Sequence, residues 1–250
     1  TITHVGDGSI NNVTVAEGTA ALFTVNLSNA SSTATAFALT LANGSATAPG
    51  DYTHALSDAS FSNGVTISGG TITVPAGVTS FTVTVPSVND TLYETSEDFT
   101  LSVGGVSGTG TITDNDAAPV FSVADASISE GGLMSFTVTR TGDAQAAQSV
   151  NFATSIAGGN SASSGDFSAS SGSLSFAQGE TSKTVTVQTT HDTLFEGNET
   201  FTVTLSGATA GATVSATQGA ATGTIVDNDG TPTITHVGDG SINNVTVAEG

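Results

Sequence analysis

Two diverged halves follow one another in this sequence, and each carries the same motifs in the same order. An acidic segment at residues 90–101 reappears in related form at 192–203. The motif Gly-Thr-Ile-Thr-Asp-Asn-Asp at 110–116 returns as Gly-Thr-Ile-Val-Asp-Asn-Asp at 223–229. Because an ordered set of motifs that recurs along a chain is the mark of a repeated folding unit, we predict two domains of one type.

The domain boundaries follow from the second motif. Each copy is followed by three residues that end in a proline, Ala-Ala-Pro119 and Gly-Thr-Pro232, and proline restricts the backbone. Residues 1–18 also recur unchanged at 233–250, so the sequence is one unit of a tandem array whose neighbouring repeats are expected partners. The predicted divisions are a domain at 1–116, a domain at 117–229, and at 230–250 a linker with the first strand of the next copy.

Short runs of alternating apolar and polar residues fill both halves. The apolar positions include Phe23, Val25 and Leu27; Phe37, Leu39 and Leu41; Phe81, Val83 and Val85; Phe99, Leu101 and Val103; Phe121 and Val123; Phe136 and Val138; Val150 and Phe152; Leu174 and Phe176; Val185 and Val187; and Phe201, Val203 and Leu205. A period of two predicts strands with one buried face. About seven such strands in each half are typical of an immunoglobulin-like sandwich. We therefore predict an all-β fold of two tandem antiparallel β-sandwich domains.

Charge narrows the possible partners. The chain has 22 acidic residues but only two basic ones, Arg140 and Lys183, which gives a net charge of −20. Nucleic acids and anionic membrane surfaces need a basic face, so neither is an expected partner. Cysteine is absent, which excludes disulfides and thiolate ligands. No apolar run is long enough to span a membrane, and we expect any export signal to lie outside this sequence.

The acidic residues are concentrated at strand ends and in loops, in two matching sets of seven. The first set is Glu17, Asp51, Asp90, Glu94, Glu97, Asp114 and Asp116, and the second is Glu130, Asp166, Asp192, Glu196, Glu199, Asp227 and Asp229. In a Greek-key sandwich these strand ends and loops can meet at one pole, where seven carboxylates would repel one another without a counter-charge. Ca²⁺ takes six to eight oxygen ligands from such groups, whereas Mg²⁺ prefers fewer carboxylates and several waters. Acids at turns can also serve solubility alone, but their matched spacing in both halves favours a metal site.

Taken together, these motifs resemble those of the Calx-beta domain, which occurs in sodium/calcium exchangers and in very large bacterial surface proteins. The resemblance is carried by Glu-Gly after the first strand, Gly-Asp-Tyr or Gly-Asp-Phe, the Asp-x-x-x-Glu-x-x-Glu segment and the terminal motif. It implies an immunoglobulin-like sandwich whose distal loops bind several Ca²⁺ ions through the acids named above. Asn115 and Asn228 stand where exchangers carry a third aspartate, so the number and affinity of the ions are left open.

The resemblance and the repetition together predict a structural role. We expect a monomeric, calcium-rigidified spacer in an exported adhesin or similar surface protein, located outside the cell or at its surface. A module that itself binds a carbohydrate or a host protein is the alternative, and regulatory calcium sensing, as in exchangers, is a third. No enzyme is predicted, because nucleophile-elbow, P-loop and zinc-protease motifs are absent. The four histidines are separated in the sequence, and His191, which aligns with Asn89, is expected to be a surface residue.

Overall fold

The structure, a computed structural model, describes residues 10–234. Contacts divide the chain into two compact units, with the main boundary between Pro119 and Val120. All regular structure in the described residues is β-strand, and they contain no helix long and apolar enough to cross a membrane. From residue 235 on, the predicted first strand of the next copy lies outside the described part.

The first unit is built on ten strand segments within residues 10–119. They are β1 Val13–Ala16, β2 Ala21–Asn26, β3 Thr35–Asn43, β4 Ser60–Phe61, β5 Thr66–Ser68, β6 Thr71–Val74, β7 Ser80–Val85, β8 Leu92–Tyr93, β9 Glu97–Val103 and β10 Val106–Thr113. One sheet has the strand order β1-β10-β9-β3-β6-β5, and the other has the order β2-β7-β4. The apolar faces of the two sheets meet, as shown by the edge-to-face contact of Phe23 with Phe99 at 5.9 Å between ring centroids.

The second unit repeats this plan. The strand segments after Pro119 are β11 Val120–Val123, β12 Ala126–Ser129, β13 Leu133–Thr141, β14 Asp143–Ala144, β15 Gln148–Ser155, β16 Ser171–Phe176, β17 Ser182–Gln188, β18 Glu199–Ser206, β19 Thr213–Val214 and β20 Ala220–Val226, all of them in the second unit except β14. The sheets have the orders β12-β20-β18-β15-β16 and β17-β13-β11-β19. Phe136 and Phe201 form the equivalent contact between the sheets, at 5.8 Å. The predicted all-β sandwich class is confirmed.

The first strand of each domain divides between the two sheets. In the second domain β11 pairs antiparallel with β13 in one sheet, and β12 then pairs parallel with β20 in the other. In the first domain Ile10 bridges to Val25 of β2, and β1 pairs parallel with β10. The parallel pairing places the carboxyl ends of the first and last strands at the same pole of the sandwich. The acidic motifs begin at this pole.

Burial follows the predicted period of two. Phe81, Val83 and Val85 of β7 are buried and alternate with partly exposed threonines. Phe37 and Phe152 are only half-buried, although the alternation of apolar residues places them on the buried faces of their strands. More strand segments occur than the roughly seven predicted for each domain, because several have only two residues and are too short for an alternating pattern to reveal.

Candidate metal centre

Strand register brings the first and last acidic motifs together. Ala16 of β1 lies opposite Thr113 of β10, so the next residues along both strands, Glu17 and Asp114, leave the sheet side by side. The backbone N–H of Glu17 donates to the carbonyl oxygen of Thr113 at 3.0 Å and continues the ladder by one residue. Parallel strands end at the same edge of a sheet, so residues nearly a hundred positions apart become neighbours.

The same register occurs in the second domain, where β12 and β20 end together. Ser129 lies opposite Val226, and Glu130 and Asp227 follow them. The N–H of Glu130 donates to the carbonyl oxygen of Val226 at 3.0 Å. In both domains, therefore, the parallel pairing of the first and last strands places a glutamate beside an aspartate.

The antiparallel neighbour of the last strand adds a second glutamate at this pole. Glu97 is the first residue of β9 and lies opposite Ile112, close to the end of β10. Glu199 begins β18 opposite Ile225 in the same way. Because antiparallel strands run in opposite directions, the start of one meets the end of the other.

In the Gly-Asp-Tyr and Gly-Asp-Phe motifs, a buried aromatic residue directly follows an aspartate of the acidic pole. Tyr52 is fully buried and stacks on Phe99 with 4.5 Å between ring centroids, and Phe167 stacks on Phe201 at 4.2 Å. These stacked rings hold the loop against the core. The preceding aspartates, Asp51 and Asp166, are thereby carried to the acidic pole.

Short local hydrogen bonds fix one oxygen of several aspartates. Asp51 Oδ2 accepts from the backbone N–H of Thr47, and Asp90 Oδ1 accepts from the N–H of Leu92 at 2.7 Å. Asp114 Oδ1 accepts from the N–H of Asp116 at 3.0 Å. Such side chain to backbone bonds are typical of aspartate in turns, and they restrict how each carboxylate can move.

The second domain has the corresponding bonds and two more at Asp227. Asp166 Oδ2 accepts from the N–H of Ser163, and Asp192 Oδ1 accepts from that of Leu194 at 2.7 Å. Asp227 accepts at Oδ1 from the N–H of Asp229, and at Oδ2 from the N–H groups of Glu196 and Gly197 at 2.9 and 2.7 Å. These three bonds lower the pKa of Asp227 and keep it ionised.

In each domain the structure brings six of the seven predicted acids together around a cleft at the pole. In the first domain the cleft is lined by Glu17, Asp51, Asp90, Glu94, Glu97 and Asp114, and in the second by Glu130, Asp166, Asp192, Glu196, Glu199 and Asp227. Each domain also has two groups of three residues whose ligand atoms lie within 4.8 Å of one another, and one of these groups includes His191. These are Glu17 with Asp114 and Asp116, Asp51 with Glu94 and Glu97, Glu130 with His191 and Asp229, and Asp166 with Glu196 and Glu199.

Crowding disturbs the protonation of the first cluster. The pKa of Glu17 is raised from 4.5 to about 7, first by burial and then by the adjacent Asp116 carboxylate. The pKa of Glu94 rises to about 7 through desolvation and the charges of Asp51 and its neighbours. Desolvation and Asp51 raise that of Glu97 to about 7 as well. Without a cation, the pole therefore holds protons near neutral pH.

The second cluster shows the same effect at its glutamates. Desolvation, followed by the hydrogen bond and charge of Asp166, raises the pKa of Glu199 to about 7. The pKa of Glu196 is also raised, by desolvation and by the charge of Asp192 among others. Neither basic side chain of the protein offers an ion pair here, since Lys183 pairs with Glu180 at 2.9 Å and Arg140 is buried beside Gln148.

Several carboxylate oxygens at the pole are buried and accept no hydrogen bond. They are Glu17 Oε1, Glu97 Oε2, Asp116 Oδ2, Glu130 Oε1 and Asp229 Oδ2. A buried acceptor without a partner is costly, and one that carries charge more so. A divalent cation supplies both the missing partner and the counter-charge. The residues present therefore suit Ca²⁺, which takes hard oxygen ligands in a flexible arrangement.

One member of these groups was missed by sequence reasoning. His191 is half-exposed, as expected for a surface histidine, but its Nδ1 lies 3.5 Å from Glu130 Oε1. The signal was present in the comparison of the halves, because His191 immediately precedes Asp192 and aligns with Asn89, which precedes Asp90. Asn89 also belongs to the pole, since its side-chain oxygen accepts from Asn115 Nδ2 at 3.0 Å.

Solved structures that match the chain include domains of Calx proteins. The chain is 24% identical to "Apo-form Calx CBD1 domain", with 45% of this chain and 100% of that one covered and a TM-score of 0.41. It is 16% identical to "CBD12 from CALX1.2" and 15% identical to "calcium binding domain CBD12 of CALX1.1". For each of these two, 86% of this chain and 96% of the other are covered, with TM-scores of 0.39 and 0.38. No curated protein matches the sequence significantly.

The sequence profile of the Calx-beta domain matches residues 9–111 and again residues 114–229. Together the two matches account for most of the chain, the first lying within the first compact unit and the second starting at Asp114, in the terminal motif of the first half. The chain therefore belongs to the Calx-beta domain family and contains two copies of that domain in tandem.

Proposed function

We propose that each domain binds Ca²⁺ at its acidic pole. The observation that carries this proposal is the set of buried carboxylate oxygens without hydrogen-bond partners, of which those of Glu17 and Asp116 recur in the second domain at the matching Glu130 and Asp229. The proposed ligands are the two sets of seven acids identified in the sequence. Two convergent groups in each domain favour more than one ion per domain.

The residues contribute to binding in different ways. Asp51 and Asp166 are held by the backbone of their own loops, so they offer carboxylates that are already oriented. Glu97 and Glu199 begin strands of the sheet and are paired with the last strand of their domain, opposite Ile112 and Ile225. The bound ion supplies positive charge and stabilises the ionised carboxylates at neutral pH. Binding therefore releases the protons that the glutamates otherwise hold.

Calorimetric titration of the metal-free chain with Ca²⁺ tests the proposal. We expect saturable binding of more than two ions per chain, and we expect proton release at pH 7, seen as a binding heat that depends on the ionisation enthalpy of the buffer. Titration with Mg²⁺ should give much weaker binding, because Mg²⁺ keeps most of its waters and uses few carboxylates. No heat and no metal retained on dialysis would contradict calcium binding.

We further propose that the chain is a spacer in a repetitive, exported adhesin or similar surface protein. The support is in the sequence. Identical residues at 1–18 and 233–250 indicate a tandem array, and the short linkers ending in Pro119 and Pro232 restrict rotation. Asp116 and Asp229 lie at the start of these linkers, so ions bound there would stiffen the junctions between successive domains. We propose that the protein is monomeric and is located outside the cell or at the cell surface.

Small-angle scattering of the chain with and without Ca²⁺ tests the spacer role. We expect a narrower distribution of dimensions with Ca²⁺ than in chelator, under conditions in which circular dichroism shows that both domains stay folded. An unchanged distribution would restrict the effect of Ca²⁺ to the individual domains.

The alternative role, direct binding of a carbohydrate or a host protein, has less support. Among the described residues Phe195, at 47%, is the only exposed phenylalanine or tyrosine, and most phenylalanines lie in the cores.

A further inference from the structure

We propose that the second domain has a site for a zinc-like transition-metal ion, formed by Glu130, His191 and Asp229. This site goes beyond calcium binding by the acidic pole, because it depends on an imidazole nitrogen. Calcium prefers hard oxygen ligands, whereas imidazole suits Zn²⁺ and its neighbours in the first transition series. The convergent group around Glu17 in the first domain, formed with Asp114 and Asp116, contains only carboxylates.

The distances suit a small ion. The ligand atoms of Glu130, His191 and Asp229 lie within 4.8 Å of one another, and His191 Nδ1 is 3.5 Å from Glu130 Oε1. Two ligands of a tetrahedral zinc ion, each at ~2.1 Å from the metal, are separated by roughly 3.4 Å. The imidazole and the glutamate are thus already spaced as two corners of a zinc coordination shell. Three protein ligands and an open fourth position form a common arrangement.

Burial gives independent support. The Glu130 side chain is only 10% exposed, yet its Oε1 atom accepts no hydrogen bond. Asp229 Oδ2 is likewise buried without a hydrogen-bond partner. Two oxygens of the group are therefore buried without a hydrogen-bond partner. The imidazole is 56% exposed, which leaves a path by which a hydrated ion can reach the site.

A glycine allows the imidazole to lie this close. A Cβ atom on Gly131 would fall 2.8 Å from the Cβ of His191, so any larger residue would push the histidine away from Glu130. The backbone of Gly131 also has a φ of 78°, which favours glycine. The first domain has the same contact between Gly18 and the Cβ of Asn89, at 2.9 Å. Asn89 and His191 thus occupy equivalent places, and the imidazole is the difference between them.

Because Asn89 and His191 are equivalent, exchanging the two residue types between the domains gives matched variants. His191→Asn gives the second domain the residue that the first domain has, and Asn89→His does the reverse. His54→Asn is the control for a histidine outside the pole, since His54 contacts the carbonyl oxygen of Leu41. None of these substitutions removes a carboxylate, so the proposed calcium ligands remain.

The test is a titration of the whole metal-free chain with Zn²⁺, read by calorimetry, together with Co²⁺ as a probe read by visible absorption. We expect one tight Zn²⁺ per chain and a Co²⁺ spectrum of nitrogen and oxygen coordination. His191→Asn should weaken Zn²⁺ binding at least about tenfold, since even indirect partners of a metal ligand contribute 10 to 100-fold. Asn89→His should raise the number of tight Zn²⁺ ions from one to two, and His54→Asn should change nothing.

Titration of the same variants with Ca²⁺ separates this inference from calcium binding. Loss of Zn²⁺ affinity in His191→Asn with unchanged Ca²⁺ affinity supports the zinc site. Equal Zn²⁺ binding by the wild type and His191→Asn overturns it, even if Ca²⁺ binds as proposed. Equal losses in His191→Asn and His54→Asn would also overturn it, because they would assign Zn²⁺ to exposed imidazoles in general. If His191→Asn does not fold, an unchanged stoichiometry in Asn89→His overturns it.

Discussion

Gly223 lies directly against the ring of Phe201, and a Cβ atom at Gly223 would come within 2.6 Å of that ring. Gly110 has the same relation to Phe99, at 2.5 Å. Each glycine begins a terminal Gly-Thr-Ile motif and lets the last strand pass over the ring that connects the two sheets. The glycine of this motif therefore serves packing, whereas the aspartates that follow belong to the acidic pole.

Replacing Gly223 with alanine should destabilise the second domain by about 1 to 3 kcal/mol, because the added methyl group overpacks the core against two rings. Urea denaturation of the metal-free chain, followed by near-ultraviolet circular dichroism, measures the change. Gly230→Ala is the matched control, since a Cβ there would have no atom within 4 Å. Equal stability of the two variants would contradict the packing role.

Glu199→Gln should weaken Ca²⁺ binding by the second domain by roughly tenfold or more, because the change removes a charged ligand while keeping the side-chain size. Calorimetry measures the affinity. Glu180→Gln is the control for net charge, since Glu180 pairs with Lys183 away from the pole. Similar losses in both variants would mean that overall acidity, and not a site, attracts the ions.

The metal-free protein should become less stable as the pH rises from about 5 to about 8. The pKa values of Glu17, Glu97 and Glu199 are near 7 in the folded state and 4.5 ordinarily. The folded chain thus binds protons that the unfolded chain has released, and linkage favours folding at the lower pH. This stabilisation is complete below 4.5 and is lost as the pH passes through about 7.

Thermal melts of metal-free protein at several pH values measure this dependence. With Ca²⁺ present the trend should reverse over the same range, because protons and Ca²⁺ compete for the carboxylates. A midpoint that stays constant over this range in the metal-free protein would contradict the raised pKa values, because it would mean that the clustered glutamates are already ionised at pH 5.

Calcium should raise the unfolding free energy of each domain. For a site with a Kd of ~10 µM, ~1 mM Ca²⁺ adds about 2.7 kcal/mol by linkage. Melting curves in chelator and in millimolar Ca²⁺ at neutral pH provide the measurement. Identical midpoints in the two conditions would contradict calcium binding by the folded state.

Much of the fold follows from the sequence by itself. The repeated motifs indicate two domains of one type, and the alternation of apolar residues predicts which face of each strand is buried. Phe81, Val83 and Val85 show the agreement. These features depend on residues close together in the chain, because side chains alternate between the two faces of a strand. The two sets of acids could be identified for a similar reason, since each occupies matching places in both halves.

The grouping of those acids depends on the tertiary structure. Glu17 meets Asp114 because β1 and β10 pair in parallel with one particular register, and a shift by one residue would turn their side chains to the opposite face. The raised pKa values also come from this convergence, because desolvation and repulsion act between groups that are distant in sequence. His191 likewise joins Glu130 and Asp229 only through the fold, since the contact requires strand pairing and the space left by Gly131.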